Sequence, residues 1–456
     1  MTNLKRNRNI HKNCDVTKNN MLLKYDVLII GAGVSGSSVY NELKKQLKNN
    51  STNKNDLKIG IVEMGGLKPE YVIEKEENNV ETIYAKGIGG AGSYFVGNAL
   101  EVSIEGLNLE EEYEELKKEL NISVVPEECL SRYEVELINK GFKQTPKLIN
   151  FDKCVNCGLC AHKGCEARAY FYEFLDVTND EVKESEIILN SKVIDVSLNE
   201  QKNYKFEVIL ENNVNITNNN TNSNNNTNNN NNNNNNNFSI LAKNIVLCAG
   251  GVNSPRILSK LYAKENITSE DLGKNLFIDS FVTVGGVLID SNINKEVPMA
   301  IYKDYGNYIL SSHYSELLYN RILEESEKDI KIKKSDVFGF MIKIKDSENG
   351  TVSENSIYKP MSEKDVQTFM EAMATATPIL RDLGINKVYS TIPRGSHPSG
   401  TCKLGKVVNK KFETPIKNLY ICDASILPES IGKPPILALM ALSKKLSKSL
   451  INNLKN

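Results

Sequence analysis

Residues 25–36 read Tyr25-Asp26-Val27-Leu28-Ile29-Ile30-Gly31-Ala32-Gly33-Val34-Ser35-Gly36. The first six form a short apolar run rich in β-branched residues, the pattern of a strand buried on both faces of a parallel sheet. Glycines follow at once at the G-x-G-x-x-G spacing, and a helical pattern runs from Ser37 to about Leu47. In that setting Gly31 permits the tight turn, Gly33 lets the backbone approach a pyrophosphate, and Gly36 lets the helix pack closely on the strand. A phosphate placed there meets the unpaired N–H groups and the positive end of the helix dipole. A second strand-like run, Lys58–Val62, ends in Glu63, 27 residues after Gly36. A carboxylate at that strand end can accept from ribose hydroxyls. Strand, glycine turn, helix and acid-terminated strand together predict a dinucleotide site; a glycine-rich turn without function fits them poorly.

The 456 residues suggest about two to four structural units. With 40% hydrophobic and 25% charged residues, a large core is possible and global disorder is excluded. Lys+Arg number 56 against Asp+Glu 57, so no long-range field favours nucleic acid or anionic lipid. No apolar run approaches the ~18 residues of a spanning helix. Residues 1–20 lack the apolar stretch of a secretory signal and read as a disordered extension, so a cytoplasmic protein is expected. Four of the nine cysteines crowd into Cys154–Cys165, which suits a reduced thiol cluster better than a disulfide framework. Residues 212–237 are almost all Asn and cannot bury enough apolar area to offset chain entropy; they read as a floppy surface insertion.

Further strand-like runs occur at Ile187–Leu198, Tyr204–Leu210, Asn244–Cys248 and Leu419–Cys422. Helical patterns cover Asn108–Leu120, Glu166–Leu175, Ser362–Leu383 and the end of the chain from about Pro435. The acidic stretch Glu110–Glu119 reads as a solvated helix face, and the lysine-rich end of the chain as a helix end whose cations suit the dipole. Phe281–Lys345 alternates β-like runs with polar connections, as a largely antiparallel sheet does. A nicotinamide enzyme usually closes its nucleotide domain within one contiguous half. Here buried strands return hundreds of residues after the glycine turn, which fits a large flavin lying extended across the chain.

At this point the chain resembles the glucose–methanol–choline (GMC) oxidoreductases. The likeness rests on YDVLIIGAGVSG with Glu63, GIGGAGSYFVGNA at 87–99, CVNCGLCAHKGC at 154–165, NIVLCAGGVNSPRIL at 244–258, GKNLFIDS at 273–280, and HPSGTCKLG at 397–405 followed by NLYICDASILPESIGKPPILALMAL. It implies an α/β fold with a discontinuous Rossmann-like FAD-binding domain and a second α+β substrate lobe carrying a mostly antiparallel sheet. The FAD-binding pieces fall in 21–280, the substrate lobe in 281–390, and a C-terminal FAD-binding and catalytic segment in 391–456. It implies FAD with its pyrophosphate along Gly31, Ala32, Gly33, Ser35 and Gly36 and its ribose at Glu63. Gly89, Gly90 and Asn98 would lie near the flavin ring, Val193 against the adenine, and Asp423 on the ribityl or pyrophosphate portion. A turn or N-cap role is the alternative for Asp423.

His397 is the candidate catalytic base. Oxidation of a CH–OH group by a flavin needs a hydride acceptor and a group that removes the hydroxyl proton, and an imidazole suits the second task near neutral pH. His397 sits in a Pro/Gly/Ser loop and not on an apolar stripe. Many relatives place a second His or Asn before a proline in the C-terminal segment. Here Pro434 takes that place and has neither a side-chain donor nor an N–H. Lys433 and His313 remain as substitutes.

Cys154-x2-Cys157-x2-Cys160-x4-Cys165 starts like a ferredoxin run, although its fourth spacing differs and no proline follows. An iron–sulfur cluster, zinc and unliganded thiols all stay open. The expected activity is an FAD-dependent dehydrogenase, more than an oxidase, acting on a small alcohol-like molecule and passing electrons to an acceptor protein. The alternatives are a reductase of a C=C or C=O bond fed by an iron–sulfur donor, and a non-catalytic flavin subunit of a redox complex.

Overall fold

In a computed structural model of the chain, the described residues are 22–49, 57–74, 80–160, 186–199, 203–212, 237–326 and 331–455, with positions 165, 167, 169 and 175. The basic amino-terminal extension and nearly all of the Asn-rich run lie outside them, as does most of the helix expected over Glu166–Leu175.

Leu23–Ile30 is the central strand of the first sheet. It pairs in parallel with Ile59–Val62 on one side and Asn237–Leu247 on the other, with Ile30 opposite both Val62 and Leu247. Leu419–Ile421 adds a further parallel strand, with Ile421 opposite Leu247. Four strand ends are therefore level at one edge. The residues that follow them are Gly31, Glu63, Cys248 and Cys422-Asp423. Ligands of open α/β sheets bind outside this carboxyl edge.

The apolar runs behave as their composition requires. Val27, Leu28, Ile29, Ile59 and Ile61 are buried on both faces, because helices cover the sheet. The helix Val34–Asn49 packs against the last helix, Ile436–Lys455, and the Ser443 hydroxyl donates to the Ser35 carbonyl (3.2 Å) across the junction.

The second sheet is built mainly from Phe281–Val287, Val337–Ile344, Tyr308–His313 and Ile301–Asp304, each antiparallel to its neighbour. It also recruits Glu70–Glu74, Glu81–Lys86 and Lys143–Gln144 from early in the chain. Side chains alternate between its faces. Val282, Val284, Phe338, Phe340 and Ile342 pack with the helix Glu363–Asp382 into a second core. Phe281, Thr283, Met341 and Lys343 face the other way.

Three local readings change. The strand expected over Ile187–Leu198 breaks at Asn190, whose φ of 53° is left-handed. Ile187–Ile188 joins the parallel part of the first sheet, and Ser191–Leu198 joins its antiparallel end. A helix, Glu316–Glu325, interrupts the β-rich stretch; Ser315 caps it by accepting from the Leu318 N–H. The acidic helix, observed at Glu110–Glu119, is not merely solvated. Lys444 pairs with Glu119 (2.8 Å) and Lys448 with Glu115 (2.8 Å), which clamps it to the last helix.

Candidate functional site

One cavity of about 710 Å³ runs along the carboxyl edge of the first sheet and under the second. A volume of this size suits a bound cofactor with room for a small molecule. Its wall includes Gly31, Gly33, Ser35 and Glu63 from the amino-terminal unit, Val193, Gly250 and Asp423 from later strands, and His397 and Pro434 from the C-terminal segment. Gly31 and Pro434, from opposite ends of the sequence, thus share one lining.

The glycine turn is built as its sequence demands. Gly31 has φ 103°, and a Cβ there would lie 2.4 Å from the Cys248 carbonyl oxygen. A Cβ on Gly36 would lie 1.8 Å from the Gly31 oxygen, so the helix can enter only with glycine at this position. Gly33 differs: a Cβ there meets nothing within 4 Å, yet the residue lines the cavity. The space a side chain would take at Gly33 is the space a pyrophosphate needs. The residues present therefore fit a dinucleotide such as FAD. Ala32 is buried and directs its N–H to Glu63 rather than to the cavity.

Glu63 is buried and accepts three backbone N–H groups: Ala32 (2.8 Å), Gly65 (2.9 Å) and Gly87 (2.8 Å). It thereby ties the glycine turn to the loop carrying Gly87–Ala99. A carboxylate offers about four lone-pair sites, which leaves one for a ribose hydroxyl. Gly90 lines the cavity, whereas Gly89 packs backbone to backbone on the turn, donating to the Ala32 carbonyl (2.7 Å). Asn98 reaches the cavity wall and accepts from Lys147 Nζ (2.5 Å). Asp423 caps the turn Ala424–Ile426 by accepting from the Ser425 N–H, and its other oxygen accepts from the Gly250 N–H (2.8 Å) and Ser254 (2.5 Å). Burial pushes its carboxyl pKa up, against these hydrogen bonds. It is thus a turn acid that also shapes a second glycine turn on the cavity wall.

At the far end, His397 Nδ1 lies 3.1 Å from Asp279 Oδ2. Asp279 is fixed from its other oxygen by the Ser430 hydroxyl (3.1 Å) and the Gly432 N–H (3.0 Å). An acceptor on Nδ1 sets the tautomer with the proton on Nδ1 and leaves the Nε2 lone pair available. Burial and the nearby Lys343 ammonium hold the imidazole below its usual pKa of 6.5, against the pull of Asp279. Lys343 is itself buried on the cavity wall; it donates to the Asp279 carbonyl (3.2 Å) and lies 5.0 Å from the centre of the Phe281 ring.

Pro434 also reaches this wall, and so does His313. Lys433 instead pairs with Asp304 (2.6 Å). The cation beside His397 is therefore Lys343, not Lys433. Sequence reasoning missed both Asp279 and Lys343. The available signals were an acid inside GKNLFIDS and a lysine on the inward phase of the apolar run FGFMIKIK.

Cys154, Cys157, Cys160 and Cys165 line a separate small hollow. Among the described residues no group of three or more His, Cys, Asp or Glu closes on a point as a single metal ion requires, so the zinc reading has no support. Nor is any helix among them long and apolar enough to cross a membrane.

Comparison with known proteins adds three findings. A family model described as GMC oxidoreductase matches residues 356–443. An uncharacterized protein of Methanocaldococcus jannaschii is 38% identical over 429 residues, which span 94% of this chain and all of that protein. Pyridoxine 4-oxidase from Mesorbium loti shares the fold, with a TM-score of 0.62 at 13% identity over 94% of this chain and 99% of that one.

Proposed function

This chain belongs to the GMC oxidoreductase family, and from that premise we propose that it is an FAD-dependent dehydrogenase acting on a CH–OH group, with His397 as the base. The observation that carries this reading is His397, backed by the buried Asp279 and facing the same cavity as the glycine turn and Glu63. Gly31, Gly33 and Ser35 would hold the pyrophosphate, Glu63 the ribose, Val193 the adenine side, and Gly90 and Asn98 would lie near the flavin ring. Bound FAD supplies a hydride acceptor.

The chain's own residues do the rest. His397 Nε2 takes the hydroxyl proton of the substrate, and its lowered pKa keeps it unprotonated for that task near neutral pH. Asp279 accepts the Nδ1–H and steadies the imidazolium as it forms. Lys343, on the same cavity wall, would offset negative charge that builds on the substrate oxygen. Phe281, Met299 and Met341 give that end of the cavity an apolar lining against bulk water. Pro434 supports the wall and moves no proton.

Anaerobic mixing of the yellow holoprotein with a panel of small alcohols tests the reading. Bleaching by an alcohol that falls by about 10²-fold in rate in His397→Asn, at unchanged FAD content, is the expected result. Equal rates in the variant would remove His397 from the mechanism. Bleaching only by a reduced protein donor would favour a reductase.

A further inference from the structure

The four clustered thiols line one hollow together with Ile149, Val155, Val297 and Pro298. None is in a disulfide; Cys157 is exposed and the other three are half-buried. Asn156 and Gly158 both have left-handed φ, 50° and 70°. Left-handed residues of this kind build the backbone nests that bind anions, including iron–sulfur centres. The loop is held tightly: Asn156 Nδ2 donates to Glu296 (2.6 Å), and a Cβ at Gly158 would lie 2.2 Å from the Asn294 carbonyl oxygen. Backbone N–H groups already point at sulfur, from Asn156 to Cys154 and from Ala169 to Cys165 Sγ (3.2 Å).

Lys147 is the second observation. It is fully buried, and its ammonium donates to three uncharged acceptors: Val96 O (2.9 Å), Asn98 Oδ1 (2.5 Å) and Pro298 O (2.7 Å). Burial holds its pKa down to about 7, and Cys160, Glu134 and Cys154 are the groups that pull it up. A buried ammonium costs several kcal/mol unless an opposite charge lies close. Glu134 supplies part of that charge, and a cluster of thiolates would add to it.

We propose that Cys154, Cys157, Cys160 and Cys165 ligate an iron–sulfur cluster. All four thiols line one hollow, and four thiolates are what such a cluster requires. The C-x2-C-x2-C run supplies three ligands and Cys165 the fourth. The site stands on these cysteines alone. Its role rests on the FAD reading above: Pro298 lines the hollow, the adjacent Met299 lines the large cavity, and Lys147 touches Asn98 on that cavity's wall. One thin wall separates the two. The cluster is a one-electron conduit from the cavity to the surface at Cys157. Each CH–OH oxidation releases two electrons and two protons, so two molecules of a one-electron carrier protein are reduced per turnover.

The test uses the full chain purified without oxygen and, in parallel, reconstituted with ferrous iron and sulfide. Iron and acid-labile sulfide in equal amounts, with an electron paramagnetic resonance signal after dithionite, are expected. Cys154→Ser and Cys160→Ser should lose both while keeping FAD, whereas Cys129→Ser, at the neighbouring unassigned thiol, should keep the cluster. Zinc without sulfide, or no metal after reconstitution of a protein that binds FAD, overturns the proposal and leaves the flavin reading intact. A cluster in a protein that refuses FAD supports the site and sinks the conduit together with the flavin reading.

Discussion

Gly33 and Gly36 stand three residues apart and should respond to substitution in opposite ways. A Cβ at Gly33 meets no protein atom within 4 Å and lies at the cavity wall, whereas one at Gly36 strikes the Gly31 carbonyl. Gly33→Val should therefore fold with a near wild-type melting temperature but purify without FAD. Gly36→Val should lose stability whether or not FAD is supplied; circular dichroism with flavin content separates the two. His397 carries a pH prediction. Its pKa lies below 6.5, so flavin reduction should be constant above neutrality and fall as acid protonates the imidazole. Asp279 pulls that pKa upward. Replacing it in Asp279→Ala should slow the plateau rate and move the acid limb to lower pH. A merely structural Asp279 would lower activity without moving the limb. The same variant leaves the Gly432 N–H without its acceptor, at a cost of about 1–3 kcal/mol, while the Ser430 hydroxyl keeps Asp346 (3.2 Å).

Elements repeat the lesson at longer range. The strand–turn–helix over residues 23–49 was legible because each feature is local: a β-branched run, glycines at fixed spacing, then an amphipathic period. The break at Asn190 was not, because it depends on Gly65 and Glu63 accepting from the N–H groups of Asn190 and Ser191 across the fold. Asp279 and Lys343 escaped for the same reason: their meaning lies in what faces them, not in their neighbours along the chain. The pairing of Glu110–Glu119 with the last helix is another tertiary fact. Lys444, nearly buried among Glu42, Glu115 and Glu119, should contribute more than the ~1 kcal/mol of a surface pair and less than the ~3–5 kcal/mol of a fully buried one. Lys444→Met should lower stability by that intermediate amount in urea melts, and high salt should shrink the difference.

Across the whole molecule, one cavity is lined from both ends of the chain, so ligand binding and folding are linked. Protein stripped of flavin should gain about 2.7 kcal/mol when FAD is restored at 100 times its dissociation constant. A thermal shift that grows with the logarithm of FAD concentration would show this, and a flat response would mean the cavity binds something else. The likeness in fold to a structure of only 13% identity fits a scaffold whose demands are concentrated at the sheet edge while most surface residues are free to drift.

The strand Leu419–Ile421 sits beside Asn237–Leu247, and its position has a consequence for biosynthesis. At roughly 5–20 residues per second, the ribosome releases the glycine turn well before the segment that carries Asp423 and the closing helix. Until that segment is made, Ile245–Leu247 lack their partner on one side, whereas Asn237–Ala242 already pair with Phe206–Glu211. A cofactor gripped from both ends of the chain would load only after the C-terminal segment is made, and a chain clipped before Leu419 would leave Ile245–Leu247 unpaired on one side.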